Sequence, residues 1–188
     1  MINKRIFNML GYVLLFLGVS MIFSAVWSYI DNSDDLTSIL NASLITSISG
    51  LFLIIITQIQ FLKISPYITI KDTDRVDLSH KDGYTLVTFS WVMMTIFGSL
   101  PFYFYGGPFE NYIDAFFESI SGLTTTGATI LAFEDYSNIP RGLMFWRSFI
   151  PFIGGIGIIV FSIAILPLMG FGLSLIHISE PTRLLSIW

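Results

Sequence analysis

The residues best suited to chemistry lie between Ser119 and Thr129, where hydroxyl side chains cluster with Gly122 and Gly127 at the end of an apolar stretch that begins at Tyr112. Thr124, Thr125 and Thr126 in succession disfavour continued helix, because β-branching restricts χ1 against the preceding turn. Gly127 can take the positive φ that lets neighbouring carbonyls point one way. A ring of such carbonyls replaces the hydration shell of a cation. A short helix ending at Leu123 would turn the negative end of its dipole toward that ring. Glu110, Asp114, Glu118, Glu134 and Asp135 around it would raise the local cation concentration. The residues alone leave a second reading open, in which the threonines are a polar stretch of an outer loop closed by Gly127.

Other chemistries are poorly supplied. In Glu118-Ser119-Ile120-Ser121-Gly122, Glu118 stands where a hydrolase elbow has its first glycine and Ile120 where it has the serine nucleophile. His80 is the one histidine before residue 173, too few for a histidine metal cluster or a catalytic triad. Asp72, Asp74 and Asp77 lack the glycine of a calcium loop and suit a solvated charged segment. Gly154, Gly155 and Gly157 match neither phosphate-binding pattern. They suit close helix packing in lipid, or a hinge in the helix that carries them. There is no cysteine to supply a thiolate. The chain is expected not to be an enzyme.

The elements that must position Ser119–Thr129 follow from composition. The chain has 188 residues, of which 54% are hydrophobic and 12% charged, and its mean hydropathy is +0.76. A soluble domain carries about 25% charged residues, so this composition indicates an all-α polytopic membrane protein. Four apolar segments are long enough to cross a bilayer: Ile6–Ile30, Leu36–Leu62, Tyr84–Tyr105 and Trp146–Met169. Tyr112–Leu123 is helix-like but reaches only about 18 Å at 1.5 Å per residue, so it enters a membrane without crossing it. Irregular polar backbone at that depth is tolerated only where protein buries it or where it lines a watery cavity. Asn41-Ala42-Ser43 matches a glycosylation sequon but falls inside a span.

Loop charge orients the spans. Lys4 and Arg5 precede the first, and Lys63, Lys71, Arg75 and Lys81 lie between the second and third, so both segments are expected in the cytoplasm. Asp31, Asp34 and Asp35, and the acids from Glu110 to Asp135, then face outward. Arg141 and Arg147 count against the rule; Arg147 is expected to snorkel at the outer end, with pairing to Glu118 or Glu134 as the alternative. The net charge of −4 argues against a nucleic-acid partner.

Ala115 to Thr129, taken with Phe145-Trp146-Arg147-Ser148, Gly154 to Val160 and Ala164 to Leu168, resembles the first pore unit of the bacterial Trk-type potassium uptake family, in its TrkH branch. The two N-terminal spans fit that branch better than the Ktr branch. The resemblance runs from Lys4 to about Gly172. It implies potassium transport across the bacterial cytoplasmic membrane by a multi-pass subunit with its N-terminus inside. It also implies backbone carbonyls of Thr124, Thr125, Thr126 and Gly127 as potassium ligands, with the ion at Thr125, Thr126 and Gly127. Glu118, Gly122 and Arg147 would support that filter strand. The chain would need no cofactor, the nucleotide belonging to a cytosolic TrkA-like partner, and the complete chain would form a homodimer in the lipid bilayer.

The organisation expected is an N-terminal helix pair (1–62), a charged cytoplasmic loop (63–83) and one pore unit (84–172). The family builds its pore from four such units in one chain, so this chain is expected to be the N-terminal part of a longer subunit. Residues 173–188 are unlike the family, and Leu173 to Arg183 resembles a translated adapter from sequencing-library preparation; that tail is expected to be foreign. The alternative function is a non-transporting membrane scaffold or an inactive truncated fragment.

Overall fold

The computed structural model describes residues 4–64 and 80–165. The expected loop (63–83), the aspartates at 72, 74 and 77, the C-terminal end of the last span and the tail fall wholly or mainly outside them. Six α-helices follow in order: α1 (Lys4–Asp31), α2 (Asp35–Ile64), α3 (His80–Gly98), α4 (Leu100–Tyr105), α5 (Tyr112–Leu123) and α6 (Arg141–Ile165). Four stretches are long and apolar enough to cross a membrane: Arg5–Asp31, Asp35–Ile59, Lys81–Tyr105 and Arg141–Ser162. The chain is an all-α membrane protein in which an N-terminal helix pair precedes a helix, a half-helix, a polar return and a second helix.

α1 and α2 form a hairpin whose backbones nearly touch. A Cβ on Gly11 would lie 2.8 Å from the Gly50 carbonyl, and one on Gly50 would lie 2.8 Å from the Gly11 carbonyl. Lipid supplies no hydrophobic force between helices, so such close approach carries the association. Hydroxyls in the pair are satisfied locally or across it. Ser20 and Thr46 donate to the carbonyls of Phe16 and Ala42, one turn back, and Ser43 donates 2.7 Å to the Gly18 carbonyl. Large apolar side chains such as Phe16, Ile48 and Phe52 point outward, as a lipid-facing surface requires.

The turn between α1 and α2 closes by the usual helix-ending geometry. Ser33 N–H donates 3.1 Å to the Ser28 carbonyl and Asn32 N–H 3.3 Å to the Tyr29 carbonyl, with Asn32 left-handed at φ 49. This is a Schellman motif, and asparagine tolerates its left-handed position.

The single span expected at Tyr84–Tyr105 is instead α3 and α4, interrupted at Ser99. Pro101 enters the first turn of α4 without an N–H, so the Phe97 carbonyl has no partner four residues on. The loosened turn becomes an anchor. Trp146 Nε1 of α6 donates 3.0 Å to the Gly98 carbonyl, and Ser119 Oγ of α5 donates 3.1 Å to the Thr95 carbonyl. The last span also begins earlier than expected, at Arg141 rather than Trp146. The cause is tertiary: the Asp35 carboxylate of α2 accepts the Leu143 N–H at 2.8 Å and caps a first turn whose polar residues read as loop. Trp146, Leu143, Leu17, Met21, Ile39 and Phe102 form the core where the helix pair meets the rest.

Candidate functional site

α5 starts from Asn111, whose side chain accepts the Ile113 N–H at 3.2 Å, and carries Asp114 in its first turn. Small contacts wedge it between α3 and α6. A Cβ on Gly98 would meet Ser119 Oγ at 2.9 Å, and one on Gly122 would meet Ile150 Cγ2 at 3.0 Å and Pro151 Cδ at 3.5 Å. A Cβ on Gly154 would lie 1.9 Å from the Leu123 carbonyl oxygen, so the C-terminal end of α5 rests directly on α6 at that glycine.

The helix then ends in a second Schellman motif. Thr126 N–H donates 2.9 Å to the Ser121 carbonyl and Thr125 N–H 2.9 Å to the Gly122 carbonyl. The residue in the left-handed position is Thr125, at φ 57. A β-branched residue there is a conformational outlier, since the left-handed helical region costs roughly 1–2 kcal/mol for an L-residue. Two residues on, Gly127 returns to positive φ at 77. Thr124 Oγ1 and Thr126 Oγ1 lie 2.8 Å apart, and Thr124 Oγ1 also donates to the Ile120 carbonyl.

Beyond Gly127 the return is pinned to α5. Ser121 Oγ donates 2.6 Å to the Ala128 carbonyl. Thr129 Oγ1 is 3.0 Å from both oxygens of Glu118, and Ile130 N–H donates 3.2 Å to Glu118 Oε2. Arg147 Nε of α6 donates 2.5 Å to Glu118 Oε1, and its guanidinium carbon sits 5.3 Å from the centre of the Tyr136 ring. The side chains of Glu118 and Arg147 are 3% and 23% exposed, so this is a buried ion pair with its remaining acceptor sites filled. Both ends of the strand are therefore fixed. Among the described residues no donor is directed at the carbonyls of Thr124, Thr125, Thr126 or Gly127, and all four residues are exposed.

The site departs from the sequence expectation in four places. Arg147 does not snorkel; it pairs with Glu118, because the buried carboxylate lies one helix away within reach of its guanidinium. Glu118 accordingly is not an acid of the outer mouth, whereas Glu110 and Glu134 are exposed. Positive φ falls at Thr125 as well as Gly127; the signal for it is the position of Thr125 two residues past the last helical residue, which outranks its side-chain preference. Gly154, Gly155 and Gly157 of α6 also separate: Gly154 makes the close approach, a Cβ on Gly155 would meet nothing within 4 Å, and one on Gly157 would lie 3.8 Å from Trp91.

A half-helix held between two helices long and apolar enough to span a membrane, followed by a polar return, places the chain among α-helical membrane proteins. The family described as TrkH, cation transport protein, matches residues 49–182, and the chain belongs to it. The chain is 37% identical over 105 residues to the Trk system potassium uptake protein TrkG of Escherichia coli K12, and 44% identical over 96 residues to TrkH of Vibrio parahaemolyticus. Those matches take in 56% and 51% of this chain but 21% and 19% of the relatives, so the matched region is about a fifth of their length. The crystal structure of the potassium transporter TrkH from Vibrio parahaemolyticus superposes with a TM-score of 0.74 at 30% identity, over 92% of this chain and 33% of that one.

Proposed function

We propose that the chain is the N-terminal part of a potassium uptake subunit and that residues 124–127 are one strand of its selectivity filter. The observation that carries this reading is the state of the Thr124–Gly127 carbonyls, left without donors while the flanking side chains of Glu118, Ser121 and Thr129 are engaged. Buried or membrane-depth carbonyls without partners are costly unless a ligand completes them. A dehydrated cation is such a ligand, and four strands of this kind would enclose it with oxygen.

The supporting groups have distinct tasks. The dipole of α5 presents its negative end to the ion. Glu118 holds the outer end of the strand through Thr129 and Ile130, and Arg147 neutralises that carboxylate. An unneutralised carboxylate beside the path would bind a cation too tightly to release it, and conduction needs both entry and exit. Glu110, Asp114, Glu134 and Asp135 concentrate cations at the mouth. Gly154 lets α6 seat the C-terminal end of α5. The subunit would lie in the bacterial cytoplasmic membrane with its N-terminus inside, work as a homodimer and respond to a cytosolic nucleotide-binding partner of the TrkA kind. The chain itself would carry potassium as cargo and no cofactor.

The test is growth rescue. A strain without potassium uptake systems receives the complete reading frame that contains this chain. Growth at limiting potassium, abolished by Gly127→Ala at unchanged membrane level, is the expected result. Rescue that is indifferent to Gly127→Ala favours a scaffold role for the threonine-glycine segment.

A further inference from the structure

α6 starts where its own sequence supplies no cap. Pro140 precedes the first helical residue and has no side-chain acceptor, so the amides of the first turn need a partner from elsewhere. The N-terminal helix pair provides it. Asp35 at the start of α2 is fully buried, and its Oδ2 accepts the Leu143 N–H at 2.8 Å while its Oδ1 accepts from Ser33 Oγ. Ser24 Oγ of α1 donates to the Gly142 carbonyl in the same turn. There is no slack around it: a Cβ on Gly142 would lie 1.8 Å from Ser28 Oγ and 2.8 Å from Asp35 Oδ2. Trp27 against Phe145 and Phe23 against Phe149, with ring centres 6.1 and 6.4 Å apart, continue the same contact down the helices.

A buried carboxylate is expensive to keep for packing alone, and a helix N-terminus is where a negative charge is best compensated. What it fixes lies one turn further on. Leu143 and Arg147 are four residues apart on α6, so the contact that sets the height and rotation of the first turn also sets the guanidinium that reaches Glu118. Glu118 in turn holds Thr129 and Ile130.

We infer that Asp35 is a positioning residue for the ion path: through the first turn of α6 it sets Arg147, and through Arg147 and Glu118 it sets the return strand. This gives the α1–α2 pair a role in ion discrimination, and it rests on the reading of residues 124–127 as a filter strand. The experiment compares Asp35→Ala, Asp35→Asn and Ser24→Ala in the complete subunit, reading membrane level, the KM for potassium uptake and the discrimination of potassium over sodium. In Asp35→Ala the KM rises about fivefold and discrimination falls, the size of effect a lost helix cap supports. Asp35→Asn keeps an acceptor for the Leu143 N–H and returns most of that shift. Ser24→Ala, which removes one tether to the same turn, moves both readouts the same way by less and carries the test if Asp35→Ala fails to accumulate. KM and discrimination equal to the parent in the variants that accumulate overturn the inference, even where the amount of protein is reduced. A parent subunit with no saturable potassium uptake overturns the filter reading instead.

Discussion

The molecule makes the same helix-ending turn twice, once after α1 and once after α5, with different residues in the left-handed position. After α1 it is Asn32 at φ 49; after α5 it is Thr125 at φ 57. Both turns return their N–H groups to the helix carbonyls in the same pattern. Asparagine reaches that region at little cost, whereas a β-branched side chain does not. The first turn joins two helices that glycine contacts already hold together, and its Ser33 hydroxyl donates to the Asp35 carboxylate that caps α6. The second is held against its preference by a buried ion pair, two hydroxyl hydrogen bonds and a glycine seat. Backbone strain kept in place by its surroundings clusters at functional sites, and it directs the tests to this turn.

That contrast can be broken from its strongest support downward. Arg147→Leu leaves the Glu118 carboxylate buried without its counter-ion and is expected to destabilise the assembly of α3, α5 and α6 by about 3–5 kcal/mol. Thermal unfolding in detergent reads it, and the double variant Glu118→Gln with Arg147→Leu is expected to regain much of the stability without regaining ion discrimination. Gly154→Ala, whose Cβ would collide with the Leu123 carbonyl, is expected to cost about 1–3 kcal/mol, while Gly155→Ala is near neutral. Equal effects at the two glycines would remove the seat from the account.

Smaller changes sharpen the comparison. Gly127→Ala meets no steric obstacle but must hold φ near 77, so about 1–2 kcal/mol is expected to appear as altered strand conformation and lost selectivity. Thr125→Asn gives the second turn the residue of the first. It is expected to raise stability by up to about 1 kcal/mol and to leave potassium selectivity in place, because the proposed ligands are backbone carbonyls whose conformation the asparagine keeps. Asn32→Gly is expected to alter stability by only a few tenths of a kcal/mol and transport not at all.

The fold was readable where hydropathy is monotonous. Long apolar runs, the short helix from Tyr112 and the polar return all stand out because lipid demands them. What the residues concealed was set by contacts distant in the chain. The start of α6 depends on a carboxylate 108 positions before Leu143, and the break at Ser99 depends on one proline inside an otherwise apolar run. Of the candidate site, the polar return that follows the short helix was legible from residue type. The Glu118–Arg147 pair was legible only as one of two candidates, since 29 residues separate the partners and both glutamates lay in reach of a helix end. The left-handed Thr125 runs against propensity, and only the closing hydrogen bonds of α5 explain it.

The most direct measurement is the position of a heavy potassium substitute in the complete subunit. Crystals grown with rubidium are predicted to show anomalous density bonded to the carbonyl oxygens of Thr125, Thr126 and Gly127. Density confined to the exposed acids at the mouth, or bound by threonine hydroxyls in place of the carbonyls, would contradict the account.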